Sequence, residues 1–471
     1  MTNPTAPTES QPISLRRTLT PLMVAAFLVV FNETILAVAL PSIMNDLGVS
    51  ADIAQWVTSA YMLTMACVIP ASGFLLRRFG VRRLFLTAMI GFVAGTLSAA
   101  LTMSFAVLLM ARIVQATGAA LVMPALLTTI AQHVPAHRRG TVMGTASIVI
   151  GAAPALGPAT SGFGLELVGW HGLFWIILAV ALTVLFFGTW SLPADQSTES
   201  APLDLWSMGL SVLAFGGTVL GLSFIQSGEA TTGWACLTCG LGLIAVFVSR
   251  QVRMARSRVP YLDLRTFAEP RFALAMTTAA AVSAILFSTV SIVPLLLQNV
   301  MHTSSTLTGL MMLPGGAMIA LLSPLSGRLV DRIGAAPVMV PAALIVLAAT
   351  VTFAVMPQEG GIGTVSAAFI ALHVGLAGLL TPMMTVALDA VTPVQGPDAS
   401  ATFSTTQQLC GAAGTAALIG VMQSVAGPGA AVTIEGVHAA FSVSVGLALV
   451  AVGAALGLAM MTWRRARKTR F

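Results

Sequence analysis

Phe27-Leu-Val-Val-Phe-Asn32-Glu33-Thr34-Ile-Leu-Ala-Val-Ala-Leu-Pro41 closes an apolar run that begins at Leu19. A run of about 20 such residues, rising about 1.5 Å each as a helix, crosses the hydrocarbon of a bilayer. Glu33 then stands deep in that layer, where a carboxylate is costly unless it is paired, protonated or reached by water. Such a residue reads as functional. The alternative is a protonated structural carboxyl bonded between helices.

The rest of the chain agrees with a membrane environment. It is 57% hydrophobic and only 8% charged over 471 residues, which leaves too little charge to cover a soluble domain of that size. The apolar run from Leu19 is too long for a cleaved leader and has no small-residue cleavage site, so it reads as the first membrane helix. Cys67, Cys236, Cys239 and Cys410 all fall in apolar segments. Cys236 and Cys239 have no neighbouring His or carboxylate, so no metal site is expected. No GxxxxGK loop is present for nucleotide-driven pumping, and no loop is long enough to fold into a soluble catalytic domain. An enzyme is not expected.

Hydropathy places about fourteen spans along the chain. Ile53–Leu76 and Leu84–Met103 flank one basic loop, and Thr141–Leu165 and Trp170–Leu192 precede a polar connector. The basic residues sort to one side: Arg16/Arg17, Arg77/Arg78/Arg82/Arg83, Arg138/Arg139, the Arg250–Arg271 group, Arg328/Arg332 and the Arg464–Arg470 tail. The opposite loops, such as Asn45–Asp52, have no Lys or Arg, so both termini are expected in the cytoplasm. Topology thus explains every basic residue except Arg112. The tail reads as an anchor on anionic lipid, not a nucleic-acid site.

An internal repeat is visible. Pro70-Ala-Ser72-Gly73-Phe-Leu-Leu-Arg77-Arg78-Phe-Gly80 returns as Pro324-Leu-Ser326-Gly327-Arg-Leu-Val-Asp331-Arg332-Ile-Gly334. Each copy closes the second helix of a six-helix set, an arrangement that parallel-repeat transporters share. The offset leaves Leu205–Arg250 as an inserted helical pair. Residues 1–18 form an N-terminal tail, 19–192 the first bundle, 193–270 the connector with the extra pair, 271–463 the second bundle, and 464–471 the basic tail.

These features resemble the major facilitator superfamily, in its fourteen-helix drug:proton antiporter branch. Gly151-Ala-Ala-Pro154-Ala-Leu-Gly157-Pro158-Ala-Thr-Ser-Gly162 is similar to that branch's antiporter motif. Ala153, Gly157 and Ser161 also make a small-residue face, and Pro154 and Pro158 favour a bend. Asn32-Glu33-Thr34 resembles the first-helix motif, with Asn32 where the family often has Asp and the acid one place later. That shift turns the side chain by about 100°. Arg112-Ile-Val-Gln115 resembles the fourth-helix motif. Arg112 and Glu33 lie about 10 and about 12 Å below the same surface, so the two are expected to meet at one depth. Arginine lowers a neighbouring carboxyl pKa and burial raises it, so alternating exposure would couple a proton to a conformational cycle. A static ion pair between helices is the plainer reading.

Gly73, Arg78, Gly80, Gly327, Asp331, Arg332 and Gly334 resemble the family's inner-gate loops, with Arg77 replacing the usual acid in the first copy. The resemblance implies a substrate cavity near Asn32, Tyr61, Gln115, Gln298, Thr406, Gln407 and Gln408, with Gln407 where an Arg is common. His373 reads as a packing histidine, the alternative being a second proton carrier. The expected molecule is an all-α polytopic membrane protein with the major facilitator fold, two six-helix bundles plus two additional helices, in a bacterial inner membrane. The resemblance implies proton-coupled export of lipophilic small molecules, cationic ones among the candidates, with the proton gradient as the energy source. No cofactor and no nucleic acid is expected, only cargo, protons and membrane lipid, and the expected state is a monomer. The alternatives are a dedicated exporter of one metabolite, antibiotic or lipid and, more distantly, a membrane-embedded enzyme acting on lipid.

Overall fold

A computed structural model of the chain describes residues 15–193, 204–226, 229–256, 260–357, 361–426 and 432–468. All regular structure among them is helical: α1 (Leu15–Leu47), α2 (Ala51–Ala54), α3 (Trp56–Val68), α4 (Ser72–Leu101), α5 (Phe105–His133), α6 (Ala136–Ser191), α7 (Leu205–Gln226), α8 (Ala230–Met254), α9 (Pro270–Leu295), α10 (Ser305–Ile333), α11 (Ala336–Val355), α12 (Gly361–Asp389), α13 (Gly396–Ala426) and α14 (Ile434–Lys468), with short 3-10 and π turns between some of them. Among the described residues, 12 helical stretches are long and apolar enough to cross a membrane.

Two of these helices contain a reversal. α6 has 56 residues, far more than the roughly 20 a bilayer needs, and it breaks at Gly169, φ 66° and ψ 178°. α4 breaks at Gly80, φ 79° and ψ 170°. An L side chain at such a backbone position is strained, so glycine sets where the chain turns. The segment read as an inner loop around Gly73–Arg83 is therefore a correction. Gly73, Arg77 and Arg78 are helical, and the turn is concentrated at Gly80. In the second copy Gly327, Asp331 and Arg332 likewise lie on α10, which ends against Gly334 at φ 87°. The hydropathy minimum made by the arginines marked the loop, but the backbone continues its helical bonds beneath them.

The first bundle packs α1, α4, α5 and α6 around Phe85, Phe92, Val122 and Leu126, all fully buried. The second packs α9, α11, α12 and α14 around Phe353, Phe441 and Val437. Phe353 and Phe441 stack with ring centroids 4.4 Å apart. α7 and α8 pack on each other, and α7 also touches α3 and α13.

The bundles meet most tightly near the arginine-rich end, where α6 crosses α10. A Cβ built on Gly140 would stand 2.5 Å from the Gly327 carbonyl oxygen and 2.6 Å from Asp331 Oδ1. Gly140→Val is expected to lower the thermal midpoint in detergent, in line with about 1–3 kcal/mol for overpacking. Gly309→Ala, where an added Cβ meets nothing within 4 Å, is expected to leave that midpoint in place. Equal midpoints for both variants would contradict the close crossing.

Candidate functional site

α5 carries the site's one fully buried charge. Arg112 has 0% exposure, three residues from the equally buried Gln115. The α4–α5 crossing sets their depth: a Cβ on Gly95 would lie 2.6 Å from both the Ala111 carbonyl oxygen and the Gln115 amide nitrogen. With the backbones this close, Gln115 reaches across and donates from Nε2 to Thr96 Oγ1 at 2.7 Å. The same nitrogen faces Asn32 Oδ1 on α1 at 3.4 Å. Arg112 Nη1 donates to Gln115 Oε1 at 2.5 Å, and Nε to the Val57 carbonyl of α3 at 3.4 Å. Its Cζ lies 3.9 Å from the centre of the Tyr61 ring, a cation–π contact that desolvation strengthens. Arg112 is thus held by α3 and its own helix, Gln115 extends the network to α1 and α4, and of the guanidinium nitrogens Nη2 alone has no hydrogen-bond partner among the described residues.

Glu33 does not join this network. It is half-buried and makes no ion pair or hydrogen bond among the described residues, although it interacts electrostatically with Arg112 and Tyr61. The expected meeting of Glu33 with Arg112 is therefore not a direct contact here. The one-residue shift is the reason: Asn32, 1% exposed, points its amide toward Gln115, and the following side chain is turned away. Immediately after it, Thr34 donates to the Phe31 carbonyl at 2.9 Å and faces the Ala153 carbonyl of α6 at 3.4 Å. Gly157 lies so close that a Cβ there would collide with the Thr34 side chain. One residue of the glycine–proline stretch therefore locks the helix that carries the acid. The side chains of Gly151, Pro154, Pro158 and Gly162 lie outside the described residues.

The proposed cavity residues separate into groups. Asn32, Tyr61 and Gln115 are buried around Arg112, with Asn32 Nδ2 and the Tyr61 hydroxyl making no hydrogen bond among the described residues. Gln298 is exposed on the π-helical turn Leu296–Val300. Thr406, Gln407 and Gln408 are half-buried on α13. His373 is buried, with Nδ1 2.8 Å from the Phe369 carbonyl and its ring against Phe369 at 4.1 Å. That is the geometry of a packing histidine.

At the arginine-rich end the two repeat copies reach the opposite bundle with opposite charges. In the second copy Asp331 accepts from the backbone N–H groups of Gly140 and Thr141, each at 2.8 Å, and from the Thr141 hydroxyl at 2.6 Å. A carboxylate beside the start of a helix is favoured by its dipole. In the first copy Arg77 ion-pairs with Asp398 in the first turn of α13, their side chains 8% and 3% exposed. The acid has changed sides. Arg77 stands at the position that Asp331 holds in the second copy, and its charge is met by Asp398. Sequence reasoning missed Asp398; its signal was an acid at a helix start opposite the altered repeat. A further ion pair, Arg139 to Asp389 at 2.5 Å, joins α6 to α12. Outside the spans, burial pushes the Asp263 carboxyl up, but hydrogen bonds and charge from Arg265 outweigh it and hold the group below its ordinary value.

Two helical bundles that meet closely where α6 crosses α10, the first holding a buried arginine, have the architecture of a membrane transporter. The chain belongs to the Major Facilitator Superfamily, whose family model matches residues 22–415. It is 34% identical to the lincomycin resistance protein LmrB of Bacillus subtilis, over 85% of this chain and 84% of that one. It is 28% identical to the multidrug resistance protein B homolog of Mycobacterium tuberculosis, over 86% of this chain and 75% of that one. The fold matches the crystal structure of the human organic anion transporter MFSD10 with a TM-score of 0.70 at 16% identity, covering 94% of this chain and 99% of that one.

Proposed function

We propose that the chain is a drug:proton antiporter that exports lipophilic small molecules, cationic ones among them, across a bacterial inner membrane. Fourteen spans, with both termini in the cytoplasm, fit the reversals at Gly80 and Gly169 and the gathering of arginines at one end. That end is then cytoplasmic, and the ion pairs across it make this an inward-closed conformation. Relatives named for lincomycin and multidrug resistance support an export role with small-molecule cargo.

The observation that carries the proton reading is Glu33: a half-buried carboxylate at membrane depth with no ion-pair partner among the described residues, within electrostatic range of a buried guanidinium held by neutral groups. A free carboxyl there can take a proton from the open side. Arg112 favours its release once the cavity faces inward, and cargo competes for the same group. The test uses purified protein in liposomes with an internal pH dye and an imposed gradient, with lincomycin and a lipophilic cation as cargo. Cargo-dependent proton flux in the wild type and none in Glu33→Gln is expected. Undiminished flux in the variant would remove Glu33 from the coupling, and no flux with any cargo would defeat the antiport assignment.

A further inference from the structure

Pro260–Asp263 connects the inserted helix pair to the second bundle, at the surface where connectors are usually solvated. Here it is buried: Tyr261, Leu262 and Asp263 are only 2%, 3% and 5% exposed. A buried connector must place its backbone polar groups on partners, and this one distributes them over three separate bodies. From the first bundle, Arg77 Nη2 donates to the Pro260 carbonyl at 2.8 Å and approaches that of Tyr261 at 3.4 Å. From the inserted pair, Gln251 Oε1 accepts from the Tyr261 and Leu262 N–H groups at 3.0 and 3.3 Å. From the second bundle, Asp398 Oδ1 accepts from the Asp263 N–H at 3.1 Å.

The side chains repeat the pattern. The Tyr261 ring stacks on Phe74 of α4, centroids 5.8 Å apart and planes 17° apart, and meets Phe247 of α8 edge-on at 6.2 Å. Phe215 of α7 and Ala401 of α13 complete that apolar cluster. Gln251 is anchored in turn, its Nε2 donating to Ser207 Oγ at 2.9 Å, and Asp204 accepts from the Ser207 N–H at 3.1 Å.

We propose that Pro260–Asp263 is a latch through which the inserted helix pair holds the two bundles closed at the inner face, so that inward opening requires its release. The inference rests on the transporter reading, because only a cycle that separates the bundles needs a latch. Arg77 and Asp398 sit on different bundles and both hold the segment. Opening the inner face therefore cannot part them without stripping the segment from one side. Gln251 touches neither bundle's ion-pair residue by hydrogen bond, so it tests the segment apart from the pair it bridges.

Spin labels at His137→Cys and Val394→Cys, both exposed at the inner face on opposite bundles, report the separation by pulsed dipolar spectroscopy in a background without the native cysteines. The parent protein is expected to give one short-distance population. Gln251→Ala and Tyr261→Ala are each expected to raise the ratio of open to closed populations by roughly tenfold, while Tyr261→Phe, which keeps the stacked ring, stays like the parent. If Arg77→Gln opens the inner face but Gln251→Ala and Tyr261→Ala do not, the ion pair alone is the gate and the latch is refuted. Unchanged distances in all variants refute it as well. The distance readout needs no cargo and no gradient, so a failed antiport assignment leaves a different mark.

Discussion

Arg77→Asp is expected to abolish transport and to lower the melting midpoint strongly, whereas Arg77→Asp combined with Asp398→Asn regains much of both. The single variant sets two carboxylates against each other in a site where the native pair is nearly closed to solvent. Leaving one buried charge without its partner costs about 3–5 kcal/mol, and like charges add to that. The Tyr261 and Pro260 carbonyls also lose their donor. The double variant removes the repulsion and gives an acid at position 77 a helix start to face, which is the arrangement Asp331 already has with Gly140 and Thr141. Paired melts in detergent and flux assays decide it. A single variant that melts like the wild type would show that the pair carries no stability, and a double variant no better than the single would refute the charge exchange.

Arg112→Lys, although it keeps the charge, is expected to lower the transport rate about a hundredfold or more. The guanidinium donates to Gln115 and Val57 at once while its Cζ sits 3.9 Å from the centre of the Tyr61 ring. A lysine ammonium has no planar fork and reaches one of these partners at a time. A buried acceptor left without its donor costs about 1–3 kcal/mol, and a weakened cation–π contact adds up to about 2 kcal/mol. Gln115 would then be free to turn, releasing its hold on Thr96 and Asn32 and so on the helix that carries Glu33. A Lys variant within about twofold of the wild-type rate would show that charge alone suffices.

What the sequence disclosed follows from the range of the forces involved. Apolar length and arginine placement are local properties set by the bilayer, so the helices and their order were readable directly. The one-residue displacement of the acid was readable too, because helical geometry alone turns Glu33 away from the position Asn32 takes. Partners distant along the chain were not. Nothing near Tyr61 in sequence shows that Arg112 sits over its ring. Arg77 looked like a damaged motif until Asp398 stood beside it. The basic stretch around Gly80 looked like a loop because hydropathy registers charge and not backbone bonding.

The buried strap also sets a schedule for biosynthesis. Asp398, which receives the Asp263 N–H, is made 135 residues after it, and Arg77 precedes Tyr261 by 184. At about 5–20 residues per second, the ribosome leaves that amide without its acceptor for roughly 7–27 seconds. During that interval the first bundle and the inserted pair are in the membrane with a cationic side chain still lacking its carboxylate. The first half of this transporter is thus born incomplete, and α13 is the segment whose arrival closes it.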